Sequence, residues 1–157
     1  MRAAKSPVDG QLYYSGLTGW QAGATQEGSI QRLRYTGENG IYLKEAKARK
    51  DRLELTFTER VKSGSITRES FTASAWNYQW SKGYGSPQLK PSDPAIRGVD
   101  ELAIDSLELS DDGLTLTVSI PQLTPCHNLK LGFAVTGENG AELSGPVYFT
   151  ISELPES

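Results

Sequence analysis

Residues 52–61, RLELTFTERV, decide the fold. Leu53, Leu55 and Phe57 fall in one phase of a two-residue period, and Glu54, Thr56 and Thr58 fall in the other; this is the pattern of a strand with one buried and one wet face. The same alternation returns at Leu114, Leu116, Val118 and Ile120, at Leu129, Leu131, Phe133 and Val135, and at Val147, Phe149 and Ile151. Between these, Leu102 and Ile104 lie in one phase and Leu107 and Leu109 in the other, which predicts a bulge or bend. SDDG at 110–113 and TGENG at 36–40 and 136–140 supply residues that tolerate positive φ and so mark turns.

No long window keeps an apolar stripe at helical spacing. LKEAKARKDR, residues 43–52, reads as an edge strand and turn whose lysines discourage edge pairing. About seven half-buried strands are best satisfied by two antiparallel sheets packed face to face. The expected fold is all-β: an immunoglobulin-like antiparallel β-sandwich with an N-terminal β-hairpin extension. The extension, residues 1–38, holds QLYYSGLTGWQ and GSIQRLRYTG, two strands joined by a glycine-rich loop; the sandwich takes residues 39–157. A lone hairpin is marginal in water, so this one is expected to pack on the sandwich or on a neighbouring domain.

The composition fits that plan. A chain of 157 residues with 37% hydrophobic and 22% charged residues, 16 glycines and 8 prolines is globular and rich in turns. A net charge of -3 leaves no broad basic surface, which argues against nucleic acid as a partner. Cys126 is the single cysteine, so no intrachain disulfide forms; this fits a reducing compartment and equally an exported protein that folds without bridges. The first ten residues lack the apolar run of a signal peptide, and no stretch approaches the ~20 apolar residues of a membrane helix.

AWNYQW at 75–80 concentrates two of the three tryptophans, and Tyr84 follows. On a strand, Trp76, Tyr78 and Trp80 would share one face about 7 Å apart, a spacing suited to stacking sugar rings, with Asn77 and Gln79 bonding hydroxyls from the rim. The competing reading makes Trp76 a core plug, as in many immunoglobulin-like domains. Phe71, Ala73 and Ala75, on the opposite face, compete for the core. Trp20 and Gln21, in the glycine-rich loop, are further candidate contacts, against the plainer role of a tryptophan pinning a loop to the body.

Other constellations are weak. His127 is the only histidine, and on a strand the adjacent Cys126 points away from it, so neither a metal site nor a nucleophile pair is expected. Asp111 and Asp112 are explained by a turn, without the ligand series of a calcium loop. No carboxylate pair among the 19 acidic residues is distinguished by apolar flanks. Phosphate loops and dinucleotide fingerprints are absent. No catalytic residue, metal or cofactor is expected.

Taken together, DGQLYYSGLTGWQ, GSIQRLRYTG, LELTFTE, WNYQW with YGSP, and LELSDDGLTLTVSIPQL resemble the C-terminal end of large exported planctomycete and verrucomicrobial proteins. In those proteins a sugar-dehydrogenase-like β-propeller is followed by a bacterial immunoglobulin-like domain. The resemblance implies an extracytoplasmic, polysaccharide-related setting and a non-catalytic accessory role, with the N-terminal segments closing a propeller blade. It carries over no catalytic residue, and no Cys-x-x-Cys-His haem motif is present. The expected function is a carbohydrate-binding module whose ligand is a polysaccharide or oligosaccharide. The alternatives are a structural domain that packs on a propeller or self-associates through the aromatic patch, and a glycan-active enzyme.

Overall fold

Strands dominate the computed structural model, which describes residues 2–16, 28–34, 36–37 and 39–155. The chain divides into two compact units, Met1–Glu38 and Asn39–Ser157.

The first unit holds β1 (Arg2–Lys5), β2 (Leu12–Gly16) and β3 (Ser29–Leu33) in one antiparallel sheet of order β1-β2-β3. The expected pair of strands is therefore a meander of three. RAAK carries no strand signature of its own; the tight SPVDG turn folds it back onto LYYSG, with Lys5 opposite Leu12 and Arg2 opposite Ser15. Ser6 Oγ accepts from the backbone N–H groups of Val8 and Asp9, and Gly10 takes the positive φ of 70° that the turn requires.

The second unit is an immunoglobulin-like sandwich. One sheet combines β4 (Leu43–Ala48), β5 (Arg52–Phe57), β9 (Leu107–Leu109) and β10 (Thr115–Ser119) in the order β4-β5-β10-β9. The other combines β6 (Thr72–Tyr78), β7 (Gln88–Leu89), β11 (Cys126–Thr136) and β12 (Glu142–Ile151) in the order β12-β11-β6-β7, and β8 (Asp100–Leu102) also pairs with β6. These are the A-B-E-D and C-F-G arrangements of that fold. The two short strands β7 and β8 raise the expected count. LKEAKA becomes the edge strand β4, with Lys44 and Lys47 exposed.

The phase change at 102–109 is a crossover rather than a bulge. β8 lies against β6 in one sheet and β9 against β10 in the other, so inward-facing residues must change parity as the chain passes between layers. Ile104 is buried at that crossing, where Asp105 N–H donates to Ser119 O.

The core lies between the sheets. Leu53, Leu55 and Phe57 meet Leu116 and Val118 from one side and Ala73, Ala75, Leu129, Leu131 and Phe133 from the other. Each fully buried leucine contributes about 2 kcal/mol. Phe133 packs edge-on against Phe57 at 6.2 Å and stacks on Phe71 at 6.5 Å, tying the two layers together. Among the described residues no helix is long and apolar enough to cross a membrane.

Candidate functional site

β6 carries the aromatic cluster outward because Ala73 and Ala75 take its inward phase. Small inward residues leave room for Phe133 and Phe71 in the core, and the alternate positions Ser74, Trp76 and Tyr78 then face away from it. Trp76 nevertheless is only 8% exposed. It stands outside the core cluster and packs edge-to-face on Tyr148 of β12, with ring centroids 6.4 Å apart and planes at 84°. It is therefore neither a core plug nor an open platform. Its indole N–H is buried without an acceptor.

The strand ends at Tyr78, so Trp80 leaves the regular spacing expected of a continuous strand face and belongs to the loop 79–87. Gln79 N–H donates to Ser86 Oγ at 2.7 Å, and Ser86 Oγ donates to Pro87 O at 2.9 Å, which closes the loop at its neck. Gly85 reverses the chain at a φ of 79°. Trp80 and Tyr84 stand fully exposed beyond the neck, Gln79 and Lys82 are exposed beside them, and Tyr78 at the root is 43% exposed. Trp20 and Gln21 lie outside the described residues.

β11 is irregular between Cys126 and Leu129, and its ladder with β6 ends at Asn128 opposite Trp76. Two side chains continue the pairing. Asn77 Oδ1 accepts from His127 N–H at 2.8 Å, and His127 Nδ1 accepts from Tyr78 N–H at 2.9 Å. Asn77 is thus engaged in holding β11 through its carbonyl oxygen. With Nδ1 as acceptor, the neutral imidazole carries its proton on Nε2. No described residue accepts from Nε2. The His127 and Tyr78 rings lie nearly parallel, 6.3 Å apart at 19°.

Sequence reasoning missed His127 and Tyr148 as members of this surface. Tyr148 alternates with the half-buried Val147 and Phe149, so its outward phase was readable; the pairing of His127 with Tyr78 depends on a register that crosses 49 positions of chain.

Cys126 is buried, and burial pushes its thiol above the ordinary value, which keeps it protonated and a poor nucleophile. Asp112 accepts from Ser110 Oγ at 2.6 Å and Leu114 N–H at 3.0 Å within the SDDG turn. Both Asp100 oxygens are likewise engaged, by Ser92 N–H at 2.7 Å and Ser92 Oγ at 2.8 Å. Among the described residues no group of three or more His, Cys, Asp or Glu is placed to hold a metal ion. The surface thus presents exposed rings and side chains that donate and accept hydrogen bonds. No protein-family model matches this chain, and no curated protein matches it either.

Proposed function

We propose that this chain is a non-catalytic carbohydrate-binding β-sandwich module, accessory to an exported glycan-acting protein, that holds sugars by stacking on Trp80, Tyr84 and Tyr78. The observation that carries this reading is the full exposure of Trp80 and Tyr84 on one loop whose neck is closed by hydrogen bonds. Large aromatic rings held in water at a loop tip have an unmet apolar surface, and the apolar face of a pyranose covers such a ring while its hydroxyls stay wet. Tyr78, held by His127, extends the surface to the root of the loop. Trp76 is covered and packs on Tyr148.

The test is native electrophoresis through gels containing soluble plant, algal and microbial polysaccharides. Retardation in one glycan class, lost in Trp80→Ala and Tyr84→Ala, is the expected result. Uniform mobility in every gel overturns the reading. A dimer in size-exclusion chromatography that the same substitutions dissociate would replace it with self-association.

A further inference from the structure

We infer that the glycan taken by this site is anionic, bearing carboxylate or sulfate groups, with Lys82 supplying charge and His127 Nε2–H a directed hydrogen bond. The inference rests on the carbohydrate reading above and names the ligand class for the same surface.

The local charge is opposite to that of the whole. The chain carries a net -3, yet from Ser70 to Ser92 it has Lys82 and Lys90 and no Asp or Glu. That stretch comprises β6, the aromatic loop and β7; the neighbouring β8 adds Asp100, which Ser92 engages, and Glu101 opposite Ser74, towards the end of β6 away from the loop. Lys82 lies between Trp80 and Tyr84 in sequence, is exposed, and forms no ion pair among the described residues. Its ammonium presents three donors to whatever stacks on the neighbouring rings.

The hydrogen-bonding groups add directed donors to this charge. Three acceptors at the root and neck of the loop are already engaged, Asn77 Oδ1 by His127 N–H, Ser86 Oγ by Gln79 N–H, and His127 Nδ1 by Tyr78 N–H, while the exposed Gln79 amide and the Ser81 and Tyr84 hydroxyls can both donate and accept. What remains open includes Lys82, the His127 Nε2–H and the exposed Trp80 indole N–H. Neutral sugar hydroxyls both donate and accept, whereas carboxylate and sulfate oxygens only accept, and hydrogen bonds to ions are roughly twice as strong as neutral ones. A surface that carries the exposed Lys82 ammonium between Trp80 and Tyr84 in sequence, with the His127 Nε2–H open, is matched to the second kind of ligand. Because the protein as a whole repels polyanions, retention by one has to originate in such a local surface.

The experiment is native electrophoresis of the full chain through matched pairs of polymers: dextran against dextran sulfate, and highly methyl-esterified pectin against polygalacturonate, with a polymer-free gel as mobility reference. The expected result is retardation by a charged member and not by its neutral counterpart, weakened by added salt and lost in Trp80→Ala. Lys82→Ala and His127→Asn should each weaken retention about tenfold. Lys82→Arg should retain it, and His127→Asn should keep the wild-type melting temperature because the amide oxygen still accepts from Tyr78 N–H. Retardation by dextran sulfate alone assigns sulfate, and by polygalacturonate alone assigns uronate. Equal or exclusive retention by neutral polymers, or charged-polymer retention indifferent to Lys82→Ala and His127→Asn, overturns the anionic assignment and leaves the carbohydrate reading in place. Absence of retention in every gel, the wider polysaccharide panel included, overturns both.

Discussion

His127 Nδ1 accepts the backbone N–H of Tyr78 at 2.9 Å, and the two rings lie almost parallel with their centroids 6.3 Å apart. Together with Asn77 Oδ1, which accepts His127 N–H, this makes a reciprocal pair that takes over where the β6–β11 ladder stops at Trp76 and Asn128. The root of the aromatic loop is therefore held on its β11 side by side chains, while β7 pairs with it on the other, Tyr78 opposite Gln88, and the loop's direction depends in part on residues from a distant part of the chain.

Replacing that acceptor should cost stability. His127→Ala is expected to lower the free energy of unfolding by about 1 kcal/mol, with His127→Asn matching the wild type because its amide oxygen still accepts from Tyr78 N–H. Urea denaturation of the three proteins measures this, and indistinguishable midpoints would show that the reciprocal pair adds nothing to the fold.

The exposed rings should behave oppositely. Trp80→Ala and Tyr84→Ala remove side chains that bury nothing, so stability should stay within about 0.5 kcal/mol of wild type while glycan retention disappears. A large drop in melting temperature for either variant would mean that the ring serves the fold.

Trp76 separates packing from hydrogen bonding. Trp76→Ala leaves a cavity under Tyr148 and should destabilise by about 3 kcal/mol. Trp76→Phe keeps an aromatic ring and deletes the buried N–H that has no acceptor, so its cost should be much smaller. Equal losses for the two substitutions, read from urea titrations, would contradict the outer-face packing described here.

Asp112 gives a pH signature. Its hydrogen bond from Ser110, then that from Leu114, and the charge of Arg60 hold its carboxyl below the ordinary aspartate value. A group depressed in the folded state contributes stability above its unfolded value and loses it as pH falls through the folded one. The stability advantage of wild type over Asp112→Asn should therefore shrink as the solution is acidified through the lower part of the carboxylate range. A pH-independent difference in thermal melting would refute this.

The reading of strands from the sequence held wherever one face is buried, because each wrong phase would place a leucine in water and a charge in the core. Leu53, Leu55 and Phe57 or Leu129 and Leu131 could point only one way. It failed for RAAK, whose pairing comes from the neighbouring turn, and at 102–109, where a change of sheet mimics a bulge. At the aromatic cluster the alternation correctly put Ala73 and Ala75 in the core, but nothing local says where β6 ends or what lies over it.

By itself, then, the sequence determined the all-β class, the inward residues and the turn positions, because these follow from periodicity and local φ preferences. It also supplied the charge of the aromatic stretch. Only the tertiary structure decided that Trp76 is covered while Trp80 and Tyr84 stand free, that Asn77 is occupied, and that His127 joins Tyr78. Exposure and hydrogen-bond partnership are set by strand register between segments far apart in the chain, and a local pattern of residues carries no information about which distant backbone arrives opposite it.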